Sequence, residues 1–213
     1  KMAIEAPKIA FRRPEEVKDG EGNMEMVPVG FGKKFRPSPI RDDQSRLLIS
    51  PFLGGGTETP EGNGILETFA SKKSILVSRQ NELDEVPEGL LERFGEVLVL
   101  SDLTQEAEED TVGDAATIPE DIPGAELRGL HAKLIAEDDG HNTRILIGSP
   151  NISDRAFSQN KEFALRLTVS RYQNGVDKIL GDDPKSGLRR FLQPYVRSEG
   201  SDEKEEEVRA AER

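Results

Sequence analysis

The stretch Leu127–Asn151, "LRGLHAKLIAEDDGHNTRILIGSPN", holds two apolar runs on either side of a polar turn. Leu127–Glu137 reads as one strand and Thr143–Ser149 as its return. "DDGHN" between them supplies turn residues, with Gly140 free to take positive φ. Alternate residues of a strand share a face, so His131 and Lys133 are expected to project together. Ala132 then points the other way and is small enough for burial against a helix. Ser149 and Asn151 share a face in the same manner if the backbone stays extended. A hairpin turning near Gly140 makes the two strands neighbours. Imidazole, ammonium, hydroxyl and amide then meet near one end of a sheet. That group suits an oxyanion with several oxygens: Lys133 as a point charge, Ser149 and Asn151 as hydrogen-bond donors.

The chain has only two histidines, and His141 sits in the turn itself. It reads as an exposed turn residue. A metal site built from His131, Asp138 and His141 is the rival, and it requires a strand end to meet its own turn.

Upstream, "RLLISPFL" (46–53) reads as a buried strand ended by Gly54-Gly55-Gly56, and Gly64–Ser71 has helical spacing. Ser74–Arg79 and Glu96–Leu100 are further strands, and Glu82–Phe94 is helical with Pro87 breaking or starting it. Alternating strands and helices predict a sheet with helices packed on it. Residues 1–45 form an extended N-terminal segment, in which Met24–Phe31 is at best an edge strand because of Pro28. Downstream, Ile152–Ser158 reads as a short helix capped by Asn151 or Ser153. Lys161–Val169 reads as a strand, and "GLRRFLQPYV" (187–196) as helical up to Pro194. Residues 198–213 are a charged tail.

Charge is uneven. Asp102–Asp121 has eight acids and no base, which marks a solvated acidic insertion, and the whole chain carries a net charge of −12. A surface so acidic repels phosphate backbones at long range, which argues against generic nucleic-acid coating but leaves room for a local basic cleft. Lys33, Lys34, Arg36, Arg144, Arg155, Arg189 and Arg190 are available for one. With no cysteine, thiolate metal sites and disulfides are excluded, and a reducing, cytoplasmic setting is expected. No apolar run is long enough to span a bilayer.

His131-x-Lys133-x4-Asp138 followed by Gly148-Ser149-x-Asn151 resembles the signature of the phospholipase D superfamily. Asn160-Lys161-Glu162 resembles the Asn-x-Glu that follows in its small nucleases, and "LLISPFL" resembles an early strand of the family. The similarity spans about Arg46 to Val169. It implies an α/β/α sandwich, a mixed sheet flanked by helices, over residues 46–197. It also implies metal-independent cleavage of a phosphodiester, with no cofactor. His131 would be the nucleophile that forms a phosphohistidine, while Lys133, Ser149 and Asn151 hold the phosphate. Glu162 would orient His131, and Asp138 would be structural. Lys133 and Asp138 are five apart, which sets them on opposite faces unless a bulge intervenes.

The family uses two histidine motifs and this chain has one. The second is expected from a homodimer mate or from the rest of a longer protein. Lys1 in place of an initiator Met and the abrupt charged end favour a fragment. Of the family's substrates DNA is expected, since no amphipathic lipid-facing helix is visible. A phospholipase is one alternative. A non-catalytic phosphate-binding, nucleic-acid-binding or assembly module is the other.

Overall fold

A computed structural model describes residues 23–31, 44–54, 64–100, 130–181 and 187–198. The acidic insertion 102–121, the tail beyond 198, Lys33, Lys34, Arg36 and positions 127–129 of the expected strand lie outside the described residues.

Among the described residues, eight strands form one mixed sheet in the order β1-β7-β6-β5-β2-β3-β4-β8. They are β1 (Met24–Val29), β2 (Arg46–Ile49), β3 (Ser74–Ser78), β4 (Glu96–Leu100), β5 (Leu134–Asp139), β6 (Asn142–Gly148), β7 (Glu162–Ser170) and β8 (Leu192–Pro194). β2, β3 and β4 run parallel, and every other pairing is antiparallel. The parallel part follows from the strand–helix–strand order, because a parallel pair needs a crossover connection. The antiparallel part follows from the tight turn at Gly140, whose φ is +61°.

Among the described residues, six short helices pack on the sheet: α1 (Ile65–Phe69), α2 (Gln80–Asp84), α3 (Glu88–Leu91), α4 (Asp154–Ser158), α5 (Arg171–Asn174) and α6 (Val176–Leu180). One face buries Leu48, Leu76 and Ile135 against Leu66, Phe69, Leu83, Leu91 and Phe157 from α1 to α4. The other buries Leu47, Ile49, Val77, Leu98 and Ala136 against Val176 and Leu180 of α6. Adjacent residues of β2 thus enter opposite layers, as strand periodicity requires. Buried Arg46 fits the first layer because Glu137 pairs with its Nε at 2.7 Å and Phe69 lies under its guanidinium, 5.3 Å from the ring centre. Ser153 caps α4 by accepting from Ala156 N.

Three local readings change. Residues 187–196 are not a helix to Pro194: a 3-10 turn (Arg189–Phe191) leads into β8, which pairs antiparallel with β4. Arg189 donates from both terminal nitrogens to Glu96, at 2.6 and 2.9 Å, and draws the segment to the sheet edge. An edge position tolerates Pro194. β5 starts at Leu134, so His131, Ala132 and Lys133 precede the strand, and Ala132 is exposed rather than buried. β1, within the expected extended segment, is a full edge strand on β7, so the sheet begins before residue 46.

Candidate functional site

Strand direction gathers the residues. β5, β6 and β7 are antiparallel neighbours, so the start of β5, the end of β6 and the start of β7 lie at one end of the sheet. That end therefore holds His131 and Lys133, Ser149 and Asn151, and Asn160 and Glu162. The C-terminal ends of β2 and β3 reach it too, since Ile49 pairs with Leu134 and β3 runs parallel to β2. Crevices outside the carboxyl ends of parallel strands are the usual binding places of α/β sheets.

Ser149 ties the end of β6 to the start of β7. Its hydroxyl donates to Glu162 Oε2 in a short hydrogen bond, and it accepts from Phe163 N at 3.2 Å. Its own N–H reaches Phe163 O at 3.1 Å. Glycine before it makes this close approach possible. A Cβ on Gly148 would lie 2.4 Å from Phe163 O and 2.6 Å from Ala164 Cα, so any side chain there pushes β6 off β7. The Gly-Ser order is thus a packing requirement at this sheet end.

Glu162 also accepts from Asn160 Nδ2 at 3.3 Å. Lys133 lies in its field, and its Nζ donates to His131 O at 3.0 Å. Burial and the nearby Arg79 guanidinium lower the Lys133 pKa, while Glu162 partly offsets them. A partly desolvated cation beside a second cation is an electropositive spot in an acidic protein, suited to receive an anion.

Asn151 has its amide oxygen buried without a partner. The His131 side chain is exposed and has no hydrogen-bond partner among the described residues. Glu162 is therefore engaged with Ser149 and Asn160, and the structure does not bring it to His131.

Asp138 is at the other end of β5 and on the other face. Its carboxylate is buried and accepts from Thr143 Oγ1 at 2.8 Å and from Val176 N, at the start of α6, at 3.2 Å. Arg171 Nε lies 3.3 Å away. These contacts tie the β5–β6 hairpin to α5 and α6. Even-numbered Leu134 and Ala136 belong to the α6 layer, and odd-numbered Ile135 to the opposite one, which is the separation of Asp138 from Lys133 that their spacing requires. His141 is exposed in the turn beside Gly140. Among the described residues, no cluster of three His, Asp or Glu side chains is placed to hold a metal ion.

Two residues at the site escaped the sequence reading. Arg79, just after β3, donates from Nε and Nη2 to Leu130 O at 3.0 and 2.9 Å, and stacks 4.8 Å from the Phe52 ring centre. It anchors the segment that carries His131. Buried Ser50, just after β2, accepts from Ile152 N at 3.0 Å and so holds the loop that carries Asn151. Their position at the carboxyl ends of parallel strands was the available signal, but no local motif marks them.

No protein-family model matches the sequence, and a comparison with curated proteins finds no match. Among the described residues, no helix is long and apolar enough to cross a membrane.

Proposed function

We propose that this chain carries half of a phosphodiester-hydrolase site of the phospholipase D kind, acting on DNA through His131. The observation that carries the reading is the meeting of Lys133, Ser149, Asn151 and Glu162 with the His131 segment at one sheet end. They lie just before β5, just after β6 and at the start of β7, the adjoining ends of three consecutive strands.

In this reading neutral His131 attacks phosphorus, a P–N bond forms and the P–O bond to the leaving group breaks. The leaving oxygen takes its proton from a histidine of the missing half. Water then attacks the phosphohistidine, releasing the phosphate product and regenerating the imidazole. Covalent catalysis splits one difficult displacement into two. Lys133 and the Asn151 amide stabilise the equatorial oxygens as charge builds. Glu162 fixes the Ser149 hydroxyl and offsets part of the positive charge. Arg79 sets the position of the His131 segment through Leu130.

Hydrolysis of bis(p-nitrophenyl) phosphate and of DNA should persist in EDTA. It should fall by about 10³-fold or more in His131→Ala, the scale on which a covalent nucleophile contributes. Acid quenching should trap an acid-labile phosphoryl group on His131. Activity that survives His131→Ala in a folded protein defeats the proposal. The bare His131 imidazole favours one other reading, a module that holds a phosphate without turning it over. Saturable phosphate or DNA binding with no hydrolysis at any protein concentration is its signature.

A further inference from the structure

Exposed aromatic rings flank the site end on both sides, and each side carries a cation on a ring. On the β7 side Phe163 is 53% exposed and Phe31, just after β1, is 51% exposed, with their ring centres 5.5 Å apart. Lys161 donates to Gly30 O and holds its Nζ 5.1 Å from the Phe31 ring centre. On the β2 side Phe52 is 37% exposed, and the Arg79 guanidinium stacks on it. Each side touches the group described above. Ser149 accepts from Phe163 N, while Arg79 holds Leu130 O and lies within electrostatic reach of Lys133.

The two stations lie on one side of the sheet. Ile145 packs in the α6 layer and pairs with Leu167, and Ile147 pairs with Leu165. Alternate residues share a face, so Phe163 is on that side too. Val77 and Leu130 belong to the same layer, and Arg79, two residues after Val77, reaches the Leu130 carbonyl. The strand order β7-β6-β5-β2 sets the stations three strand spacings apart, or about 14 Å. The His131 segment, which leads into β5, stands between them. Exposed Ile147 and half-buried Leu134 make the floor of the gap apolar.

We infer that these rings are stacking stations for the bases of single-stranded DNA, one on each side of the proposed phosphate position. The inference rests on the phosphodiesterase reading and adds the form of DNA that the site takes. Every base has a π-face, but only a base released from its own stack can lay that face on a protein ring. A strand that stacks a base at either station brings its backbone past the cation seated there. Charge favours the same form. A duplex carries one charge per about 1.7 Å and a single strand one per about 3.4 Å. A chain of net charge −12 therefore repels the single strand less. Arg79, Lys133 and Lys161 offset that repulsion locally. Of the carboxylates at this end, Glu162 is engaged by Ser149 and Asn160, and Glu82 by the Leu53 N–H.

Fluorescence anisotropy of a labelled oligonucleotide of about 16 nucleotides, alone and annealed to its complement, tests the assignment on the full chain in EDTA. The single strand should bind at least about tenfold more tightly than the duplex. Phe163→Ala and Phe52→Ala should each weaken single-strand binding about fivefold or more, the lower end of what one stacked base contributes. Phe163→Leu keeps the apolar bulk but has no π-face, so it should weaken binding in the same direction, and it guards against misfolding of the alanine variant. The phenylalanine variants should leave the salt dependence of binding as it is, whereas Lys161→Gln should flatten the slope of log K against log salt by about 0.7. Duplex bound as well as single strand overturns the inference. So does single-strand affinity indifferent to both alanine variants, and so does a chain that binds neither probe. Binding is read without cleavage. Single-strand binding through these rings with no hydrolysis therefore counts against the phosphodiesterase reading alone, and hydrolysis of DNA with no preference for the single strand counts against the stacking stations alone.

Discussion

Replacing Asp138 with alanine is expected to unfold the protein early without touching the proposed phosphate-binding end. The carboxylate is 2% exposed and serves Thr143, Val176 and Arg171 at once. Removing it strands the Val176 N–H, a buried donor worth about 1–3 kcal/mol when left unpaired. The Thr143 hydroxyl also loses its acceptor. The Arg171 contact adds little, because that side chain is over one-third exposed and water screens it. Together the loss is about 3–4 kcal/mol, within the range for breaking a buried polar cluster. In a domain of this size that lowers Tm by roughly 6–15 °C. Asp138→Asn retains an acceptor for Thr143 and Val176, so its cost should be about 1 kcal/mol. Urea denaturation of both variants, paired with phosphate binding below the transition, checks the scheme. If Asp138→Ala costs under 1 kcal/mol, or if it abolishes phosphate binding while still folded, Asp138 is not the structural tie described above.

Gly148→Ala should destabilise by about 1–3 kcal/mol through overpacking and lower kcat as well, because the new Cβ meets Phe163 O at 2.4 Å. An unchanged melting curve refutes the close-approach argument. Lys133 has a folded pKa below its unfolded value, from burial and then Arg79. Between those two values the unfolded chain holds more protons, so this group makes stability rise with pH across that window. The ammonium proposed to hold phosphate is lost over the same window, so KM should climb as pH rises toward the ordinary lysine range. Lys133→Arg should flatten that alkaline limb even if its KM is higher overall, and a limb that persists in this variant assigns it to another group.

Strands were legible wherever apolar runs met turn residues. Arg46–Ile49, Ser74–Ser78, Glu96–Leu100 and the hairpin through Gly140 were all located from local pattern. The Ser153 cap and the Pro87 break were equally local. The 192–194 strand was not legible. "RRFLQ" spaces its apolar residues ambiguously, and what makes it extended is the free edge of β4 together with the Arg189–Glu96 pair, a contact across 93 positions. Likewise His131 was expected within a strand, but β2, the neighbour that would extend the ladder, ends at Ile49 opposite Leu134.

The sequence by itself determined the residue types and spacings of the group proposed to bind phosphate, and the period-two alternation that puts Asp138 opposite Lys133. Both are properties of a few consecutive residues, set by covalent geometry and side-chain chemistry. Only the tertiary structure decided which partners those groups hold. It set Glu162 on Ser149 rather than against His131, placed Arg79 under the Leu130 carbonyl, and left one apolar sheet face open beside the site. Such pairings join residues far apart in the chain. They depend on strand order and on the direction in which each neighbour runs, which no local stretch encodes.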